Sequence, residues 1–332
     1  MSGGVGERWL EAAYAGAPWL RVLRPLEALY RRVVADRARA YAEGRRRVWR
    51  APVPVIVVGN ITLGGTGNAP PLAWLARRLQ ERGRRPGILS RGYGGKAERY
   101  PLWVTADTPP TSCGDEPRML AEQTGVPVVV DPDRPRGGRR LLEAGCDILL
   151  SDDGLQHLAL GRDLELLVVD GHRGLGNGHC LPAGPLREPR ERVATVDAVI
   201  VNGEPRRDLP VAAHRMTLAP SGWRSLDDGA RYPVSPPPFR GPVHAVAGIG
   251  RPARFFATLE ALGIAHVAHS FGDHHRFTAD DLAFGDDRPL VMTAKDAVKC
   301  RGLASGEAWV LEVEAIPDPD FVAWLDGRLA TL

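Results

Sequence analysis

Residues 53–70, Val-Pro-Val-Ile-Val-Val-Gly-Asn-Ile-Thr-Leu-Gly-Gly-Thr-Gly-Asn-Ala-Pro, run a β-branched strand into a glycine-rich turn, followed by the helical pattern of residues 72–79. A strand, a glycine loop and a helix in that order can hold phosphate. The glycines let successive backbone N–H groups converge on its oxygens, and the helix adds its positive end. The loop comprises Thr62, Leu63, Gly64, Gly65, Thr66 and Gly67. Asn68 and Ala69 then stand where such loops carry a lysine for the β- and γ-phosphates and a hydroxyl for magnesium. An ordinary glycine turn between strand and helix is the alternative reading.

The second group with chemical potential is Asp-Ile-Leu-Leu-Ser-Asp-Asp-Gly-Leu-Gln-His at 147–157, where an apolar strand delivers Asp152 and Asp153 at its carboxyl end. A magnesium-holding carboxylate sits at that place in nucleotide-binding sheets, although a plain Asp-Asp-Gly turn has the same letters. Ser-Arg-Gly-Tyr-Gly-Gly at 90–95 and Gly-Asp-Glu-Pro at 114–117 read as further loops at the same edge. Two more loops, rich in glycine and proline, present Arg173 and Arg187, whose guanidinium groups suit phosphate or surface ion pairs equally. Nearer the C-terminus, Phe-Gly-Asp-His-His-Arg-Phe at 271–277 joins a carboxylate to two imidazoles, and Lys295 and Asp296 follow a strand. Adjacent histidines point in different directions, so proton handling or a structural role fits them better than chelation.

The pattern from residue 53 onward supplies the frame for these groups. Short β-branched runs at 53–58, 86–89, 126–130, 147–150, 164–169 and 198–201 alternate with helical stretches such as 71–82 and 136–144. This predicts an α/β fold, a mainly parallel sheet covered by helices, with ligands beyond the carboxyl ends of the strands. Residues 220–242 are rich in Pro, Gly and Ser and read as a connection. The runs at 244–247, 255–262, 266–269 and 290–293 predict a second, smaller α/β unit. The expected division is a segment 1–50, a core 51–219, a linker 220–242 and a C-terminal domain 243–332.

The chain has 332 residues, 44% hydrophobic and 25% charged, with a formal net charge of +3. Residues 1–50 alone carry +6, so the basic excess is local. The four cysteines are scattered without a Cys-x-x-Cys pair, which suggests neither zinc nor disulfides and fits a reducing, cytoplasmic setting. No apolar run reaches the length of a membrane span, and the first residues lack signal-peptide features. Residues 8–43 nevertheless interleave Trp, Tyr, Leu and Val with seven arginines. They read as helices packed on the body or as helices lying in an anionic headgroup layer. No nucleic-acid reading motif accompanies the charge.

Taken together, these segments resemble the tetraacyldisaccharide 4'-kinase family. The glycine loop, the segments at 90–95, 114–117 and 152–157, Leu-Pro-Ala-Gly-Pro-Leu-Arg-Glu-Pro at 181–189, Ala-Gly-Ile-Gly-Arg-Pro-Ala-Arg-Phe-Phe at 247–256, Asp-His-His at 273–275 and Lys-Asp-Ala-Val-Lys at 295–299 run in family order. The resemblance implies a P-loop NTPase-like core with a smaller C-terminal α/β domain. The implied reaction is transfer of the ATP γ-phosphate, with Mg²⁺, to the 4'-hydroxyl of tetraacyldisaccharide 1-phosphate, giving lipid IVA in lipid A biosynthesis. It also implies peripheral or monotopic docking on the cytoplasmic face of the bacterial inner membrane, an anionic surface.

By motif, Asp115 becomes the base for the 4'-hydroxyl proton, with His274 tuning or orienting it. Asp152, Asp153 and Glu116 become magnesium carboxylates, while Arg187, Arg134 and Tyr93 line the phosphate or substrate site. The chain departs from the family at the loop's end, where Gly-Lys-Thr is Gly67-Asn68-Ala69, and at Ala294 of the Thr-Glu-Lys-Asp motif. The alternative is therefore a catalytically impaired relative that binds lipid or nucleotide. Lys96, Lys295 or an arginine is the expected source of any replacement cation.

Overall fold

A computed structural model describes residues 5–65, 67–205 and 209–332. The N-terminal segment forms α1 (Val5–Ala15), a 3₁₀ turn (Pro18–Leu23) and α2 (Arg24–Ala42). The middle of the chain alternates: β1 (Val55–Gly59), α3 (Ala69–Glu81), β2 (Pro86–Ser90), β3 (Leu102–Val104), α4 (Pro110–Cys113), α5 (Asp115–Thr124) and β4 (Val128–Val130). It continues with α6 (Arg134–Glu143), β5 (Ile148–Asp152), β6 (Leu164–Asp170), β7 (Ala198–Asn202), β8 (His214–Ser225) and β9 (Arg231–Tyr232). The last part holds β10 (Val243–Ala247), α7 (Pro252–Ala261), β11 (His266–Ser270), β12 (Leu290–Thr293), α8 (Ala294–Cys300), β13 (Ala308–Pro317) and α9 (Pro319–Leu329).

The described strands make one 13-stranded sheet in the order β11-β10-β12-β13-β8-β7-β6-β1-β5-β2-β4-β3, with β9 paired to β8. β1 lies parallel between β5 and β6, which brings the turn after β1 beside the carboxyl end of β5. Strands buried on both faces read as continuous apolar runs, and β1 shows why. Its Ile56 and Val58 face the α3 residues Leu72, Leu75 and Leu79, while Val55 and Val57 join Leu149, Leu167 and Leu141 on the opposite face.

The α/β, mainly parallel architecture expected from sequence is the one present. One boundary is corrected: residues 220–225, assigned above to a linker, are the second half of β8. That strand pairs antiparallel with β13 and makes the two parallel sections a single sheet.

Of the two readings of residues 8–43, packing on the body is the one observed, since α1 and α2 contact it through one face. Tyr14 Oη donates to Leu63 O at 2.6 Å and Tyr30 Oη to Arg187 O at 2.8 Å. Glu27 is buried, accepts from Cys180 N at 2.9 Å and meets His179 Nδ1 at 3.0 Å. A carboxylate on buried donors contributes about 1.5–3 kcal/mol per hydrogen bond, and its loss leaves them unsatisfied. Glu27→Ala is therefore expected to destabilise the chain by about 2 kcal/mol in urea melts and to speed proteolysis within α2. An unchanged melting midpoint together with unchanged proteolysis would show that α2 is held by other contacts.

Candidate active site

The glycine loop is pinned before it reaches its glycines. Thr62 bridges Leu186, and Leu63 N donates to Pro185 O at 2.8 Å, so the loop containing Arg187 holds its first half. Gly64 and Gly67 take φ of 90° and 80°, which favours glycine. A Cβ on Gly67 would also fall 2.6 Å from Asn202 Nδ2. Asn68 caps α3 and Ala69 opens it, so the loop ends on a helix N-terminus as a phosphate cradle requires. Thr66 lies outside the described residues.

At the carboxyl end of β5, Asp152 is buried and accepts from Ser90 Oγ at 2.9 Å. Its Oδ1 is also buried and has no hydrogen-bond partner among the described residues. Burial, reinforced by the Glu116 and Asp153 carboxylates, pushes Asp152 up to about 7. Burial, relieved partly by Lys295, also raises Glu116. Asp153 sits in the left-handed region at φ 45° and takes both ends of Arg187 at 2.8 and 2.7 Å.

Arg134, expected to face phosphate, lines the cleft and also acts as a brace. It is 2% exposed, and its two terminal nitrogens donate to Leu89 O and Asp152 O, each at 2.6 Å. Burial lowers it to about 10. It ties together the carbonyls at the ends of β2 and β5.

Asp115 and Glu116 begin α5 and so lie on a helix's first turn, where a helix stabilises negative charge; the sequence reading had them in a loop. Gly114 at φ 88° permits this, and a Cβ there would lie 2.5 Å from Tyr93 O, so two glycine-rich segments touch backbone to backbone. Across the cleft, His274 Nδ1 is 3.1 Å from Asp115 Oδ2, and Tyr93 stands edge-on to the His274 ring with centroids 5.5 Å apart. Lys295 Nζ is 3.4 Å from His274 Nε2 and 2.9 Å from Asp273 Oδ1. An ammonium only donates, so Nε2 accepts and the proton of a neutral His274 resides on Nδ1, directed at Asp115. His274 is held at φ 59°, a second left-handed residue at the site.

Asn68, Glu116, Asp152, Arg187, His274 and Lys295 all line one cleft of about 440 Å³; Asp115 stands behind His274, outside its lining. Lys299 was missed as a site residue: its Nζ lies 3.8 Å from Asp115 Oδ2 and 2.9 Å from Asp296 Oδ1. The signal for it was its position one helical turn beyond Lys295. Asn202 was missed as well, although it ends a buried strand at the same sheet edge.

Among the described residues no three His, Cys, Asp or Glu side chains form a ready metal cage. The orphaned Asp152 Oδ1 with Glu116 nearby does fit an ion such as Mg²⁺, which takes one or two carboxylates and keeps its waters. Asp152 also carries a pH signature. Folded, it keeps a proton that the unfolded chain loses near pH 3.9, so stability falls as pH rises from about 4 to about 7 and levels above that. In magnesium-free buffer, Asp152→Asn is expected to raise the Tm more at pH 8 than at pH 5. Calorimetry giving equal shifts at both pH values would remove the buried charge as the cause.

Comparison with known proteins agrees with this geometry. Residues 19–330 match the family described as Tetraacyldisaccharide-1-P 4'-kinase. The tetraacyldisaccharide 4'-kinase of Azotobacter vinelandii is 51% identical over 329 residues, 99% of this chain and 98% of its own. That of Alkalilimnicola ehrlichii is 54% identical over 322 residues, 95% of this chain and 96% of its own. The crystal structure of LpxK from Aquifex aeolicus in complex with ATP superposes with a TM-score of 0.79 at 28% identity, covering 94% of this chain and 99% of that one. With a family model matched over residues 19–330 and relatives about half identical over almost their whole length, the chain belongs to the tetraacyldisaccharide 4'-kinase family.

Proposed function

We propose that this chain transfers the γ-phosphate of ATP to the 4'-hydroxyl of tetraacyldisaccharide 1-phosphate. The observation that carries the reading is the Asp115–His274 pair, at 3.1 Å, in which His274 lines the same cleft as the glycine loop and Asp152 and Asp115 stands directly behind it. The loop's backbone amides and the start of α3 bind the phosphates. Asp115 accepts the 4'-hydroxyl proton, while His274, its tautomer set by Lys295, donates to the other side of that carboxylate and fixes its direction. Asp152 and Glu116 would hold Mg²⁺, with Asp153 available once Arg187 turns to phosphate. The ion supplies charge neutralisation for the β- and γ-phosphates. Ala69 offers it no hydroxyl, so carboxylates and waters must complete its shell.

The lipid partner and the membrane rest on the 3₁₀ turn Pro18–Leu23 and on α2. Trp19, Val22, Leu26, Leu29 and Val33 are each more than half exposed and recur at helical spacing, a stripe facing away from the body. Arg37, on the same helix, lines the cleft. A stripe in the headgroup layer with the cleft at its border lets the acyl chains stay in the bilayer while the sugar reaches Asp115. Among the described residues no helix is long and apolar enough to span a membrane. The reading is thus peripheral or monotopic docking on an anionic surface, the cytoplasmic face of the inner membrane.

The reading is tested by ATP-dependent labelling of the disaccharide 1-phosphate in detergent micelles. Asp115→Asn is expected to lower kcat by about 10²- to 10⁴-fold while ATP affinity stays within about twofold. Loss of ATP binding with single-turnover rate retained would assign Asp115 elsewhere, and no transfer by the parent protein with both ligands bound would favour an impaired relative. Replacing Leu26, Leu29 and Val33 together by serine is expected to weaken sedimentation with phosphatidylglycerol vesicles at least about tenfold, since each buried side chain contributes about 1.5–3 kcal/mol. Equal sedimentation of the variant and the parent would refute docking through this stripe.

A further inference from the structure

The loop position that lacks a lysine is Asn68, and the whole chain has three lysines, Lys96, Lys295 and Lys299. Among the described residues lining the cleft, Lys295 is the single lysine. Lys299 is spoken for: its ammonium lies 2.9 Å from Asp296 Oδ1 and over the Phe277 ring, behind Asp115. Arg37 and Arg91 also line the cleft but are exposed, Arg134 is committed to the Leu89 and Asp152 carbonyls, and Arg187 must leave Asp153 before it can reach a phosphate. We propose that Lys295, delivered by α8 from the C-terminal half, supplies the ammonium for the β- and γ-phosphates that the glycine loop lacks. The proposal rests on the kinase reading above and names the cation of that same site.

Position supports it. A Cβ built on Gly250 would lie 3.8 Å from Gly65 N and 3.5 Å from Asp273 Oδ2, so the carboxylate that binds Lys295 is a close neighbour of the loop's own amides. Lys295 Nζ is 2.9 Å from the other oxygen of that carboxylate. Asp273 thus holds the ammonium in the cleft that Gly64, Gly65 and Gly67 also line. Two of the three N–H groups are directed at Asp273 and His274 Nε2, and Glu116 Oε1 at 3.9 Å is beyond hydrogen-bond length, which leaves one donor for a phosphate oxygen. Burial works against the charge on Lys295, but Glu116 and Asp273 outweigh it and raise the pKa, so the group stays cationic. An ammonium touching both the phosphoryl group and His274 would also link phosphate binding to the orientation of Asp115.

The test is a double-mutant cycle between positions 295 and 68, using Lys295→Met, which keeps the aliphatic stem, and Lys295→Arg, which keeps the charge. Titration calorimetry with ATP and ADP reads nucleotide binding, and the micelle assay reads turnover. Lys295→Met is expected to weaken ATP at least about tenfold more than ADP and to lower kcat by about 10²- to 10³-fold, the usual loss for one donor at a charge-stabilising site. Lys295→Arg should keep the preference for ATP. Asn68→Lys should raise ATP affinity and kcat at least about tenfold more in the Lys295→Met background than in the parent. An ATP-to-ADP affinity ratio unmoved by Lys295→Met would overturn the proposal, as would equal gains from Asn68→Lys in both backgrounds. If the parent forms no labelled lipid, the kinase reading falls, and the calorimetric arm still decides whether Lys295 grips ATP.

Discussion

β8 leaves the parallel sheet beside β7 and runs antiparallel along β13, with Met216 opposite Pro317 at one end and Ser225 opposite Trp309 at the other. Asp273, His274, Lys295 and Lys299 lie between β8 and β13 in the chain, whereas the glycine loop, Asp115 and Asp152 precede β8. Their meeting therefore depends on this seam. The seam also grips α5. Glu312 of β13 accepts from Arg224 of β8 at 2.7 Å and from Gln123 near the end of α5 at 3.1 Å. With its carboxyl end clamped there, α5 presents Asp115 and Glu116 from its other end. A helix tied to both halves turns the position of the base into a property of the sheet.

Buried charge is what the fold tolerates in return for this site. Asp152 is half satisfied, held by Ser90 on one oxygen and by nothing described on the other. Arg134, inaccessible to solvent, completes the strand-end carbonyls of Leu89 and Asp152 and brings a positive charge next to the carboxylates. A stability-optimised core would replace both, because a polar network only partly satisfied is worse than apolar packing. Their retention beside the left-handed residues Asp153 and His274 marks where the structure gives up stability for chemistry.

Much of this was legible in the sequence because the relevant signals are local. The strands from β1 to β7 that bury both faces announce themselves as β-branched runs, and glycines with positive φ mark the turns that carry Tyr93, Asp115 and the phosphate loop. β8 was not legible for a physical reason. It holds Pro220 and Gly222, residues that usually end strands, at an irregularity where the register with β13 shifts between Glu312 and Val313. Only the partner strand, some ninety residues later, reveals that this is sheet and not linker. The bracing role of Arg134 was hidden similarly: the chain gives its residue type, but the two carbonyls it joins come from strands that converge from far apart.

The position of the site's lysine has a mechanical consequence. A lysine inside the glycine loop moves with the amides beside it, so it grips phosphate whatever the rest of the chain does. Lys295 stands instead at the start of α8, after β12, and reaches the cleft only while the seam holds the two halves in register. Its partners extend the dependence, since the same ammonium contacts Asp273 and, through His274, sets the direction of the Asp115 carboxylate. Nucleotide grip and base orientation then rise and fall together, because one group serves both. In a chain whose loop ends in Asn68-Ala69, the proposed role of Lys295 would make phosphate recognition a joint act of the two halves, the loop contributing amides and the C-terminal half contributing charge.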